Sequence, residues 1–314
     1  MMAGKLRIIF MGTPAFAAPA LTMLCERGMT PAAVYTQPDR ANKRGKRITF
    51  SPVKAVAMER EIPLFQPETL KGDEALRQLK ALQPDIVVVI AYGRIIPKAM
   101  LSIPKYGFIN VHASLLPKYR GAAPVQRAVI DGEKETGVTV MKIDEGLDTG
   151  DMILQKKVAI HDDTTAESLF DTLSRVGAEA LMDVLNNLEE YLSKAVPQDE
   201  SQATYAEKLT KEMGHIDWKK PARTLSALMR GMYPNPGTYT FFRGKRLKIH
   251  KVSLGEGTSK EMPGTIISTA GGVISVATGE GILNLLSVQP ENKKQMTASD
   301  FINGHQVKVH DAFQ

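Results

Sequence analysis

Asp85-Ile-Val-Val-Val-Ile90 holds five consecutive β-branched apolar residues with no polar position among them. A strand with one wet face alternates apolar and polar residues, so an unbroken run predicts a strand buried on both faces, the condition of a parallel sheet covered by helices. Leu6-Arg-Ile-Ile-Phe-Met11, Ala32-Ala-Val-Tyr-Thr36 and Gly107-Phe-Ile-Asn-Val111 repeat the texture, and residues 15–28, 52–60 and 72–82 between them carry helical periodicity. The alternation of strand and helix predicts an α/β fold, a doubly wound parallel sheet of Rossmann-like type. Gly137-Val-Thr-Val-Met141 and Met152-Ile-Leu-Gln155 extend it, and Thr165 to Tyr191 reads as one long closing helix.

The stretch from Ser193 to Thr204, with Pro197 among polar residues, reads as a linker. After a helix expected over Ala222 to Met232 the texture changes. Short strands at Thr238–Phe242, Leu247–Val252, Gly264–Ser268, Val273–Ala277 and Leu283–Val288 are separated by glycine turns, a spacing that predicts a small OB-like β-barrel. The expected organisation is a domain over residues 1–192, a linker over 193–206 and a second domain over 207–314.

Composition narrows the function classes. The chain has 314 residues, 43% hydrophobic and 24% charged, enough for two ordinary domains. Leu6 to Met11 is too short for a signal or spanning segment, and no later run approaches about 18 apolar residues. A cytoplasmic protein without a membrane partner is expected. Cys25 is alone, so no internal disulfide is available, and its apolar neighbours predict a buried thiol. From residue 207 onward there are 15 basic and 9 acidic residues, against 25 of each before it. A neutral first part and a basic second part fit a small substrate in one and a polyanion on the other, although a few lysines added for solubility would give the same count.

Asn110-Val-His112 stands at the end of a predicted strand, where alternation turns Asn110 and His112 to one side. Ligands bind at the carboxyl ends of such strands, and an amide beside an imidazole can donate to a carbonyl oxygen that becomes an oxyanion. Taken alone, such a pair at a strand end is more often structural. Asp144-Glu-Gly-Leu-Asp-Thr-Gly-Asp151 brackets Asp148 with two glycines in a tight loop that can hold a carboxylate, or simply cap a turn. The region has one histidine and no cysteine, so no metal is expected. Met11-Gly-Thr-Pro14 lacks the further glycines of a dinucleotide fingerprint. Between the second strand and its helix, Arg40, Lys43, Arg44, Lys46 and Arg47 crowd into eight residues, a solvated loop or a phosphate grip. Arg243, Lys245, Arg246, Lys248 and Lys251 place further positive charge along a predicted hairpin of the barrel, a surface suited to tracking phosphates. Of the nearby aromatics Tyr239, Phe241 and Phe242, alternation assigns at least one to the core.

Asn110, His112, Ser114-Leu-Leu-Pro117, Arg120-Gly-Ala-Ala-Pro124 and Gly146-Leu-Asp-Thr-Gly-Asp151, in this order and spacing, resemble the folate-dependent formyltransferases. Gly12-Thr-Pro14, Gln37-Pro-Asp-Arg40, Tyr205-Ala-Glu-Lys-Leu209, Ile216-Asp-Trp218 and Ala277-Thr-Gly-Glu-Gly-Ile-Leu283 carry the likeness over nearly the whole chain. The resemblance implies 10-formyltetrahydrofolate, a reduced folate, as formyl donor, lying along Ile90, Ala91, Tyr92, Gly93, Ser114, Leu115, Leu116, Pro117 and the Asp148 loop. It implies the amino group of methionine esterified to initiator tRNA as acceptor. Asn110 and His112 would then stabilise the oxygen of a tetrahedral intermediate, while Asp148 holds His112 and moves protons. The basic loop would meet the acceptor stem, with Arg44 as the matching arginine. Ala41-Asn-Lys43 departs from the Pro-Ala-Gly of many relatives, adding a charge and removing a proline and a glycine. Other readings are a sugar-nucleotide amine, a ribonucleotide amine or water as acceptor, or a passive RNA-binding scaffold. A monomer is expected, since no heptad or long apolar edge is evident.

Overall fold

The computed structural model describes residues 6–41 and 48–314. It divides into two compact units: Met1–Gly121 with Glu135–Ala159 and Phe170–Tyr205, and Ala122–Lys134 with Ile160–Leu169 and Ala206–Gln314.

The first unit is built on seven strands: β1 (Ile8–Gly12), β2 (Ala33–Tyr35), β3 (Leu64–Phe65), β4 (Ile86–Ile90), β5 (Phe108–His112), β6 (Glu135–Lys142) and β7 (Met152–Ala159). Their order is β7-β6-β5-β4-β1-β2-β3. The first five run parallel, and β6 and β7 add an antiparallel hairpin at one edge. Every residue of β1 and β4 is buried, as their unbroken apolar runs require. Along edge strand β7, by contrast, Gln155, Lys156 and Lys157 carry polar side chains, and this polar half hid the strand's second part from the sequence pattern. Strand order reverses at β1, whose two neighbours lead outward in opposite directions. The carboxyl ends of β1 and β4 therefore border the crevice typical of doubly wound sheets.

The helices up to residue 193 are α1 (Ala18–Glu26), α2 (Pro52–Glu59), α3 (Asp73–Ala81), α4 (Pro124–Ile130), α5 (Ala166–Asn186) and α6 (Leu188–Ser193), with a single further turn at Lys98–Leu101. Ser51 caps α2 by accepting the Lys54 N–H, with proline in the first turn. The helix expected to run unbroken to Tyr191 stops at Asn187, whose φ of −135° lies outside the helical region. Asn186 and Asn187 are poor helix formers whose side chains compete for backbone hydrogen bonds.

The expected linker is structured. Val196 pairs with Met152, Glu200–Gln202 forms a 3₁₀ turn, and Tyr205–Ala206 pairs with Arg120–Gly121. Its polar residues have partners within the fold, which composition alone does not reveal.

In the second unit α4 packs on α7 (Ala222–Met232). Gly231 permits this, because a Cβ there would collide with Ile130 and the Gln126 carbonyl. Strands β8 (Thr238–Phe242), β9 (Lys245–Leu254), β10 (Ile266–Ser268), β11 (Ile274–Ala277), β12 (Ile282–Pro290) and β13 (Met296–Thr297) form an antiparallel sheet in the order β8-β9-β12-β11-β10, with β13 on β12. Both edges meet the last residues of the chain. Phe241 and Gln314 exchange backbone hydrogen bonds at β8, while Ile266 donates to Asp311 and accepts from His310 at β10. The seam covers both edges with the protein's own backbone. Trp218, Phe242, Phe301 and Phe313 fill the interior, and the Trp218 indole donates to Thr240 Oγ1 at 3.0 Å. Thr297 caps α8 (Ala298–His305), a helix not anticipated from the sequence.

Candidate active site

The last residue of β5 is His112, 6% exposed, and two strand positions before it lies the half-buried Asn110. His112 Nε2 is 2.9 Å from the Tyr119 carbonyl, which can only accept, so Nε2 carries a proton. Nδ1 lies 3.6 Å from Asp148 Oδ2, an ion-pair separation beyond hydrogen-bond length. The ring is thus oriented by a backbone carbonyl, and its other nitrogen is left to the carboxylate and to whatever enters beside it. Asn110 has no side-chain hydrogen bond among the described residues, so its amide is uncommitted.

Asp148 comes from the loop joining β6 to β7. Its backbone is left-handed, with φ of +54°, and Oδ2 accepts the Gly121 N–H at 2.8 Å. Asp144 ties the loop by accepting from Gly146 N and Thr149 Oγ1. Gly150 is required by close approach, since a Cβ there would lie within the envelope of the Lys142 carbonyl.

The segments assigned to the donor divide into two kinds. After β4, Ile90 and Tyr92 are buried while Ala91 and Gly93 are exposed with φ of +46° and +78°. Gln37 Nε2 donates to the carbonyls of Tyr92 and Gly93 at 3.0 and 3.1 Å, and Thr13 Oγ1 donates to that of Tyr92 at 3.1 Å. The loops after β1, β2 and β4 are thereby joined at the strand ends. The Tyr92 hydroxyl is buried without a partner among the described residues, and burial pushes its pKa up. Ser114 and Leu116 are also buried. Ser114 donates to Lys118 O, and Thr139 and Gln155 hold the backbone of Ser114 and Leu116. Leu115 and Pro117 are half-buried.

Arg120, Gln198 and Glu200 carry no site role that the sequence pattern could signal. Arg120 is wholly buried and donates to Gln198 Oε1 from Nε and Nη2, at 3.0 and 2.8 Å, and to both oxygens of Glu200. Those bonds from Arg120 hold the Glu200 carboxyl below its ordinary range. The buried arginine was visible in the motif, but its partners lie about 80 residues away in a stretch read as tether.

Of the basic loop, Lys43, Arg44, Lys46 and Arg47 lie outside the described residues. Arg40 and Ala41 pair with Ile48 and Thr49 at its base. Beside it Asp39 bonds Lys54 and accepts from Gln66, and the Lys54 ammonium holds its carboxyl below the ordinary range. In the barrel, Lys245 and Lys248 are exposed. The Arg246 guanidinium lies 3.6 Å over the Tyr239 ring, on which His215 also stacks. Arg243 is exposed, and its guanidinium is engaged with its own barrel, by Asp311 at 2.8 Å and by the carbonyls of His305 and Gln306. Phe242 is core, whereas Tyr239 and Phe241 are half-buried. A cavity of about 850 Å³ in the second unit is lined by Lys134, Asp162, Arg223, Arg230 and Lys251 among others. Lys134 there pairs with Asp162, and Arg230 donates to Thr164 O, so two of its cations are committed within the fold. Among the described residues no cluster of three or more His, Cys, Asp or Glu is placed to hold a metal.

An amide, an imidazole and a carboxylate thus stand at the strand ends of a doubly wound sheet, in a chain that continues into a basic barrel. Residues 6–185 match the formyl transferase family and residues 208–306 the formyl transferase C-terminal domain, and the chain belongs to the formyl transferase family. It is 48% identical over 305 residues to a methionyl-tRNA formyltransferase of Caldanaerobacter subterraneus subsp. tengcongensis, covering 96% of this chain and 98% of the relative. It is 47% identical over 306 residues to that of Hydrogenovibrio crunogenus, covering 98% of each. Solved structures share the fold. The N-formyltransferase of Helicobacter canadensis, in complex with folinic acid and dTDP-3-aminofucose, has a TM-score of 0.68 at 18% identity, covering 91% of this chain and 99% of that one. HypX of Aquifex aeolicus, in complex with tetrahydrofolic acid, has a TM-score of 0.64 at 17% identity. It covers 98% of this chain, which spans about half of that longer one (48%).

Proposed function

We propose that the chain transfers the formyl group of 10-formyltetrahydrofolate to the free amino group of methionine on initiator tRNA, with Asn110, His112 and Asp148 as catalytic residues. The observation that carries the reading is the pairing of His112 Nδ1 with Asp148 Oδ2 at 3.6 Å beside the uncommitted Asn110 amide. The amine must form a C–N bond to the formyl carbon and lose one proton, and the folate nitrogen must gain one as its own C–N bond breaks. Asn110 donates to the formyl oxygen as it gains negative charge, a contribution of about 10²–10³ in rate. His112, with its Nε2 proton held by Tyr119, offers Nδ1, which accepts a proton in the neutral ring and donates to the oxygen only once it carries that proton. Asp148 accepts the proton shed by the amine and returns it toward the leaving nitrogen, worth roughly 10²–10⁴. Exposed Ala91 and Gly93 offer a wall where a flat donor can lie.

Lys245, Lys248 and Arg246 supply phosphate contacts from the barrel, and the basic residues of the 40–47 segment supply others. No helix among the described residues is long and apolar enough to cross a membrane. The protein acts as a monomer in the cytoplasm. The test is single-turnover transfer from 10-formyltetrahydrofolate to charged initiator tRNA, with uncharged tRNA as control. His112→Ala and Asp148→Asn should fold normally and lose transfer. Near-normal turnover in either refutes the assigned roles, and folate deformylation with uncharged tRNA refutes the acceptor.

A further inference from the structure

We propose that Gln198 is a positioning residue for formyl transfer, fixing the Asp148 loop against His112 from the segment that leads out of the first unit. The inference rests on Asp148 having the proton-handling role proposed above. One side-chain amide makes the link: Gln198 Nε2 donates to the carbonyls of Asp148 and Gly150, both at 2.8 Å. One of these bonds falls on the carbonyl of Asp148 itself, held at φ of +54°, a conformation that non-glycine residues keep only when their surroundings enforce it.

The amide cannot be turned round. Arg120 has donors alone and aims two of them at Gln198 Oε1, so the NH₂ group must point toward the loop. Reversal would set donor against donor at Arg120 and acceptor against two carbonyls. Arg120 is itself wholly buried and anchored by Glu200 through both carboxylate oxygens. The same segment holds the other half of the pair. Thr204 accepts from Tyr119 N and Arg120 N, both at 2.8 Å, which places the Tyr119 carbonyl on His112 Nε2 and the Gly121 N–H on Asp148 Oδ2. Residues 198–204 thus set both sides of the 3.6 Å gap.

Gln198→Glu separates positioning from scaffolding. It preserves length and the acceptors for Arg120 but removes both donors to the loop. Transfer from 10-formyltetrahydrofolate to charged initiator tRNA should show kcat lowered by about 10–10²-fold, the cost of a misplaced catalytic group. KM for each substrate should stay within about threefold of its wild-type value, because the loop's position acts on the chemical step. In an Asp148→Asn background the same substitution should produce no further loss, because its effect passes through that carboxylate. Wild-type kcat in Gln198→Glu, or losses that multiply in the double variant, overturns the proposal while leaving the role of Asp148 standing. Full turnover by Asp148→Asn overturns both. Should Gln198→Glu fail to fold, Gln198→Asn, too short to reach the loop, takes its place in the same cycle, where unchanged kcat or multiplying losses again overturn the proposal.

Discussion

Adding one methyl group at Gly150 should disable the enzyme without unfolding it. The Cβ of Gly150→Ala would fall inside the contact distance of the Lys142 carbonyl oxygen, and that oxygen belongs to a strand that cannot retreat. Restoring an ordinary C···O separation of about 3.3 Å requires the loop to give by about 1 Å or more. Gly150 O and Asp148 O share one donor, Gln198 Nε2, at 2.8 Å each, so such a shift carries Asp148 with it. A catalytic group displaced by about 1 Å loses roughly 10² in rate, equivalent to about 2.7 kcal/mol of barrier. Overpacking of this kind costs about 1–3 kcal/mol of stability, or roughly 3–10 °C in melting temperature. Gly304→Ala is the matched control, since its Cβ meets nothing within 4 Å and lies far along the chain from the loop. Single-turnover formyl transfer and thermal melts of both variants check the reasoning. Wild-type kcat in Gly150→Ala would show that the position of the loop does not govern the chemistry.

The barrel arginine and lysine should behave differently. Lys248→Gln should leave the melt unchanged and lower the slope of log affinity against log salt for initiator tRNA by about one, whereas Arg243→Gln should cost about 1 kcal/mol of stability because three of its hydrogen bonds stay within the fold. A salt-independent tRNA affinity would remove the barrel from the interface. Acid should loosen residues 198–204. The Glu200 carboxyl is held low by Arg120, so its contribution is complete above the ordinary carboxylate range and is lost as pH falls through the lowered value. Hydrogen exchange there, corrected for intrinsic rates, should rise below about pH 4, and Glu200→Gln should abolish that dependence. Cys25 is half-buried rather than buried as its apolar neighbours predict, and this partial burial pushes its thiol up against the opposing pull of Arg60. Iodoacetamide at about pH 8, just under the ordinary thiol range, should therefore alkylate it more slowly in the native protein than in urea, and equal rates would contradict the burial.

The parallel core was legible because burial on both faces writes itself as unbroken runs such as Ile86–Ile90. Where burial is one-sided or brief the signal fades, as along the lysine-bearing half of β7, in the two-residue β3 and in α8. Asn110, His112 and Asp148 could be picked out because strand-end alternation and bracketing glycines are local patterns. Their meeting is not local. Tyr119 meets His112 through its carbonyl, which every residue possesses, and Gln198 lies 50 residues from the loop it holds. A polar stretch with Pro197 resembles a tether until its partners are known, and only the fold supplies them.

The two units trade chain repeatedly: the backbone passes from one to the other after Gly121, Lys134, Ala159, Leu169 and Tyr205. Exchange of the barrel at residue 206 alone would part α4 from α7, the helix it packs on. Cut there, the remaining fragment would keep Val125, Ala128 and Val129 of α4 but lose α7, the helix packed on it. The recombination boundary of this architecture is therefore a set of coordinated positions, and an engineered hybrid that respects only the last of them should precipitate.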